Sequence, residues 1–387
     1  MSDEPKNEGH LSPPMMNQSD PIVLSLCHPA SDLKDSTVKL RSLVIQKGSL
    51  LFFIIPLLVL SFLATIAPPC MAEWELDLRN NAYYTDDVAL FSATRRLSRS
   101  QDPTQPAIDR DLANQGDDFV YEPLAQVTTT FDLLGRNTKF LVRGQGFVFV
   151  DNSRFNHGSL GVQATHDLTS STNFKLAYFF GPDLFLGKNE VREPEEGGGQ
   201  PPRFKDEEFT THYWVAYLDQ QLPGASDMTL RLLGRYGLRN YDKAFDQRDT
   251  KFWTIGTHLE WALTHTVDFA VGYHYERGLA DGRHQPELND DISYYNHFVT
   301  GELEIELTEQ VGLELAVHYE FNGFTTGIEE DERRGQNEKV VQGDIATRYQ
   351  ATEAIQLTAG FQAAYRKESF EKKLTNYNIW LGAKMVF

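Results

Sequence analysis

The last eleven residues, Tyr377-Asn-Ile-Trp-Leu-Gly-Ala-Lys-Met-Val-Phe387, alternate with a period of two. Tyr377, Ile379, Leu381, Ala383, Met385 and Phe387 fall on one face, and Asn378, Trp380, Gly382, Lys384 and Val386 on the other. Successive side chains of an extended strand leave opposite faces, so the segment is a strand with one continuous apolar side; no helical face has this period.

The same pattern recurs upstream. Ile355, Leu357, Ala359, Phe361, Ala363 and Tyr365 oppose Gln356, Thr358, Gln362 and Arg366, and Leu313, Leu315, Val317, Tyr319 and Phe321 oppose Glu314, His318, Glu320 and Asn322. Met228, Leu230, Leu232, Tyr236 and Leu238 oppose Thr229, Arg231, Arg235 and Arg239. The reading predicts strands over 73–86, 118–133, 138–151, 158–169, 172–184, 207–221, 227–241, 251–263, 266–278, 293–307, 311–325, 339–351, 354–368 and 373–387. The weakest is 207–221, where Trp214 and Leu218 oppose Tyr213 and Tyr217.

Connections of two to five residues, such as Leu134–Asn137, Ser170–Ser171, Thr264–His265 and Thr352–Glu353, alternate with mostly longer polar ones at 87–117, 185–206, 242–250, 279–292 and 326–338. Regular alternation puts turns at one end and loops at the other, as in an up-and-down barrel that spans a membrane. The expected fold is therefore all-β: one transmembrane antiparallel barrel of about fourteen strands, within a range of twelve to sixteen.

Composition agrees. Mean hydropathy of -0.42 with 24% charged residues excludes a bundle of membrane helices, while 12% aromatic residues suits strands with one apolar face. A net charge of -19 argues against nucleic acid as a partner. Trp74, Trp261 and Phe387 fall near expected turn ends, and Phe119, Tyr121, Tyr236, Tyr273, Tyr275, Tyr295, Tyr319 and Phe321 near loop ends, as two interfacial girdles would.

One long apolar run, Ser49–Ala67, follows Lys39, Arg41 and Lys47 and precedes small Cys70 and Ala72. This is the layout of a signal peptide, with cleavage expected after Ala72. A single spanning anchor is the alternative; Pro56 and the small-residue exit favour cleavage. Pro68 and Pro69 disfavour lipid attachment at Cys70. The chain then divides into residues 1–48, a polar extension or a start assigned too early; 49–72, the signal core and cleavage region; and 73–387, the barrel. Cys27 and Cys70 are the two cysteines, so the processed chain has neither disulfide nor thiolate site.

The signal peptide, the repeated hairpins and the Tyr-x-Ile-x-Leu-x-Ala-x-Met-x-Phe ending resemble bacterial outer-membrane β-barrel proteins over residues 73–387, and most of all the porin-like barrels of uncharacterised function. The resemblance implies a terminal assembly signal (Tyr377, Ile379, Leu381, Met385, Phe387) read by the barrel-assembly machinery. It also implies outer-membrane lipids and lipopolysaccharide as surroundings, small polar solutes as cargo, and no cofactor. The absence of a plug or helical-repeat domain before the barrel departs from TonB-dependent receptors and from secretion pores.

The polar faces supply candidate pore-lining residues: Arg143, Lys175, Arg231, Arg235, Arg239, Glu260, Asp268, Glu276, Glu302, Glu304, Glu306, Glu314, Glu320, Arg348 and Arg366. Bases come from the third, fifth and seventh strands and carboxylates from the eighth to eleventh. Facing arcs would set a transverse field with weak cation preference; local pairing would merely fill the barrel. A porin is the first expectation, a barrel for export of a polymer or protein the second. A barrel hydrolase is the third, since His274-Tyr-Glu276 and His318-Tyr-Glu320 each put His and Glu on one face. No metal site is expected: the acidic stretch at 329–338 lacks ligand spacing and reads as a solvated charge run. Gly197–Gly199 reads as a flexible loop.

Overall fold

A computed structural model describes residues 73–88, 90–91, 116–192, 203–369 and 373–387. The expected export segment with Ala72, both cysteines and Gly197–Gly199 lie outside the described residues.

Fourteen strands form one closed antiparallel barrel in sequence order. They are β1 Glu73–Thr85, β2 Asp118–Leu133, β3 Arg136–Phe149, β4 His157–Asp167, β5 Thr172–Glu190, β6 Phe204–Leu222 and β7 Ala225–Tyr241. The second half comprises β8 Thr250–Thr264, β9 Val267–Ala280, β10 Tyr294–Glu306, β11 Val311–Phe324, β12 Asn337–Thr352, β13 Ile355–Glu368 and β14 Lys373–Val386. The terminal segment closes the seam. It pairs with β1 from Asp77↔Val386 to Thr85↔Asn378, and Phe387 exchanges backbone hydrogen bonds with Leu76 (2.9 and 3.0 Å). Closure leaves no strand edge unpaired, which hydrocarbon demands because no water is there to satisfy a free amide.

Alternation holds around the barrel. On β14, Tyr377, Ile379, Leu381 and Phe387 are exposed, while Leu374, Asn376 and Asn378 are buried in the interior. Leu381, at 67% exposure, sits mid-strand on the outer face. Leu381→Arg is expected to cost about 2–4 kcal/mol of folding free energy in bilayers, the range for a lipid-facing cation near the midplane. Urea titration of refolding into vesicles reads this, and an unchanged midpoint would mean that this face meets water.

Two differences from the sequence reading have local causes. The first turn is Leu134-Gly135 alone, both residues left-handed (φ 57° and 74°), so β3 begins two residues earlier than the alternation suggested. Two such residues make the hairpin turn that matches strand twist, and Asp132 Oδ1 accepts from Gly135 N (2.8 Å). The second lies in β5 and β6, which extend into the expected loop at 185–206. Irregular pairing between Gly181 and Leu184, with Asp183 at φ 47°, breaks the period of two there. Leu184 and Leu186 are consequently the buried pair beyond it, although odd residues point inward before it. In the weak strand, Tyr213 is buried against Phe179 (5.0 Å between centroids), whereas Trp214 and Leu218 are exposed.

Candidate functional site

The interior differs between its two ends. At the end of the short turns, charged side chains line a wet vestibule: those of Glu260 and Glu314 are 43% and 35% exposed. At the loop end polar side chains are sealed from water, with Gln342 and Asn378 both at 0%.

Vestibule charges are paired locally, along one strand or across one or two strands. Arg231 on β7 donates from Nε to Asp219 Oδ1 of β6 (2.7 Å) and from Nη1 to Glu260 Oε1 of β8 (2.9 Å). Lys175 lies 3.9 Å from Asp219 and 5.3 Å from the centre of the Tyr217 ring. Arg348 on β12 reaches Glu314 (2.8 Å) and Glu304 (3.3 Å). On the closing seam, Arg79 and Lys384 converge on Asp77 (2.7 and 3.6 Å). A polar cleft of about 430 Å³ opens among the turns beside Asp167, Asn173 and Asp219.

The loop half is a hydrogen-bonded belt. Thr300 and His318 Nδ1 are 2.9 Å apart, and His318 Nε2 lies 3.0 Å from Asp344 Oδ2. Gln362 donates to Asp344 (2.5 Å), Asn378 to Gln362 (2.7 Å) and to Asn376 (3.0 Å), and Asn376 to Thr85 (3.1 Å). The belt thus runs from β10 across the seam to β1. On the far side Glu276 accepts from Arg235 (2.6 Å), Thr254 (2.7 Å) and Tyr294 (2.5 Å), and Arg239 lies over the Phe252 ring (4.4 Å). A buried apolar cluster of Tyr83, Phe91, Phe147, Phe149, Leu184 and Phe209 completes the packing. Phe91 lies six residues beyond β1, so the chain turns inward against the strands at that point.

Three further connections are locked together by buried charge. Arg248, between β7 and β8, donates to Asp290 (2.7 and 3.0 Å) and to Glu207 of β6 (2.7 Å). Asp290, between β9 and β10, also accepts from Gln247 (2.6 Å) and from Arg333 (3.0 Å), which precedes β12. Asp331 accepts from the Asp291 amide (2.8 Å). Burial opposes ionisation of the Asp290 carboxyl, yet the Arg248 and Arg333 guanidiniums hold it below the usual carboxylate range.

The expected pore-lining residues fall into both halves. Lys175, Arg231, Glu260, Glu304, Glu314 and Arg348 belong to the vestibule, with Asp268 and Glu306 exposed at its rim. Glu302 accepts from Thr300 (3.2 Å), and Arg143 lies over the Phe179 ring (5.5 Å). Arg239, Glu276, Glu320 and Arg366 are held in the sealed half, where Glu320 bonds Asn296 and Asn322, and Arg366 pairs with Glu338; Arg235, 26% exposed, joins Glu276 from the boundary between the halves. Basic and acidic residues meet along the β6–β9 arc, one or two strands apart, rather than across the lumen, because sequence-consecutive strands are neighbours in an up-and-down barrel.

The two His–Glu pairs do not operate as units. His274 Nε2 faces His258 Nε2 (2.5 Å) while Glu276 serves Arg235. His318 engages Thr300 and Asp344, apart from Glu320. The stretch at 329–338, expected as a solvated charge run, departs from that at Asp331 and Arg333, which are buried because Asp290 and the Asp291 amide give them partners. Sequence reading missed Glu207, Arg248, Asp290 and Phe91; opposite charges on separate loops were the one visible hint.

No family model matches the chain, and no curated protein matches it. Among solved structures it is similar to the outer membrane channel DcaP of Acinetobacter baumannii, at 10% identity and a TM-score of 0.50 over 82% of this chain and 97% of that one. An anion-selective porin from Comamonas acidovorans aligns at 8% identity and 0.43 over 82% and 99%, and a bacterial polysaccharide outer membrane secretin at 9% and 0.42 over 81% and 98%. The likeness to the channel extends to the fold and no further, and the two lower-scoring barrels add nothing to it. The chain has the fold of bacterial outer-membrane β-barrels.

Proposed function

We propose that this protein is an outer-membrane channel for small polar solutes that rests closed at its loop end. The short turns and both barrel termini face the periplasm, and the long loops face outward. One observation carries the reading: polar side chains line the interior in both halves, and those toward the turns are open to water while the belt beside the apolar cluster is buried. A barrel serving only as a wall could fill its centre with apolar side chains. Here the sealed half is a belt of amides, hydroxyls and carboxylates that water can replace once the loops part.

The acidic balance of the chain supports weak preference for cations. Arg231 is the test, since one guanidinium compensates both Asp219 and Glu260. In a variant lacking the Asp290 carboxylate, so that current flows, Arg231→Ala is expected to move the reversal potential in a salt gradient toward that of the cation. Neutralising Glu260 as well should move it back. An unchanged potential in both would take the vestibule off the ion path.

A further inference from the structure

Three lysines stand side by side on the outside of the barrel at its loop end. Lys339 of β12 is in register with Lys367 of β13, and Lys367 with Lys373 of β14. All three are exposed, on the same outward alternation as Val341, Tyr365 and Tyr377. Neighbouring strands lie about 4.8 Å apart, so the row places three ammonium groups within about 10 Å.

Like charges directly opposite one another weaken a sheet. No carboxylate among the described residues pairs with any of the three; Lys339 has the Phe321 ring beneath it (5.9 Å). Interior cations are treated differently, for Arg231, Arg348 and Lys384 each have a carboxylate within 4 Å. The next outward row toward the turns is Tyr319, Val341, Tyr365 and Thr375, followed two rows further on by Leu315, Ile345, Phe361 and Ile379. The lysines therefore sit just beyond an aromatic row that caps an apolar band, at the depth of lipid headgroups.

We propose that Lys339, Lys367 and Lys373 form a binding site for the phosphate-bearing headgroup of an outer-leaflet lipid. The site rests on the membrane reading above, which sets the loop end at the outer leaflet. Phosphate oxygens lie between the ammonium groups and cancel a repulsion that the barrel carries when alone.

The test uses the refolded barrel in neutral detergent, offered a bisphosphorylated lipid A, the same lipid without phosphates, or inorganic phosphate. Native mass spectrometry should find the phosphorylated lipid retained by the wild type. A Lys339→Gln, Lys367→Gln, Lys373→Gln variant should retain at least tenfold less, and Lys367→Gln alone should lose most of it. Heat-modifiable migration checks that each barrel is folded. Without lipid the triple variant should melt no lower than the wild type, and with lipid the wild type alone should gain. Equal retention by the variant, equal retention of the phosphate-free lipid, or equal stabilisation by inorganic phosphate overturns the site. Flotation with neutral vesicles is read in parallel. A wild type that floats without phosphate-selective retention overturns the site alone, and one that fails to float overturns the membrane reading with it.

Discussion

Asp290→Ala opens the loop half of the barrel to water. This carboxylate is fully buried and accepts from Gln247, Arg248 and Arg333, which come from two other connections. Its loss leaves Arg248 with Glu207 and Arg333 with the more distant Asp331 (3.8 Å) in a dry site, a cost of about 3 kcal/mol, the low end of the range for a buried pair broken from one side. The loops can relieve that cost only by parting, so their open population should rise at least a hundredfold, about 2.8 kcal/mol. A thiol at Gln342→Cys reports it, because that position is fully buried and residues 73–387 contain no cysteine. Labelling by a small charged reagent should be slow with Asp290 present and faster by about two orders of magnitude without it. Equal rates would mean that the loops do not seal the belt.

The same carboxylate sets the acid limit of the lock. Its pKa is depressed in the folded state, so its stabilisation is complete above the unfolded value of about 3.9 and is lost as pH falls through the lower folded value. Labelling should stay slow from neutral pH down to about pH 4 and accelerate only in stronger acid.

Phe91→Ala has the second large effect. Phe91 is wholly buried, its ring set edge-on against Tyr83 (5.2 Å), Phe147 (6.3 Å) and Phe149 (5.8 Å). Truncating a ring in such a cluster costs about 3–5 kcal/mol. The strands on both sides are held by their own backbone ladders, so the loss falls on the segment after β1. Protease cleavage beside residue 91 should become rapid while the barrel keeps its heat-modifiable migration. Resistance equal to the wild type would show that the ring does not anchor the segment.

The wall of the barrel was legible because period two is a direct imprint of a two-faced strand, and β14 with its seam to β1 is the clearest case. Failures came where that imprint breaks. The irregularity at Gly181–Leu184 inverts which residues of β5 point inward, so a reader following alternation stops at 184 and assigns the rest to a loop. Inward-facing charges could be named from the pattern, but not whether water reaches them. Arg231 and Arg239 occupy equivalent positions on one strand, yet one lies in the vestibule and the other is buried under Tyr294. The lock was illegible for a different reason: Arg248, Asp290 and Arg333 lie in connections with no periodicity, some forty residues apart, and their meeting is fixed by the barrel's closure. Burial of Asp331 and Arg333 follows from that meeting and not from the local run of charge.

Single-channel recording of the refolded wild type in planar bilayers, beside Asp290→Ala at the same protein density, distinguishes a sealed channel from an open one. The wild type should insert but stay closed for most of the record, and the variant should conduct steadily through a barrel of unchanged fold. Steady large openings by the wild type would contradict a sealed loop half, and silence from both would contradict a channel.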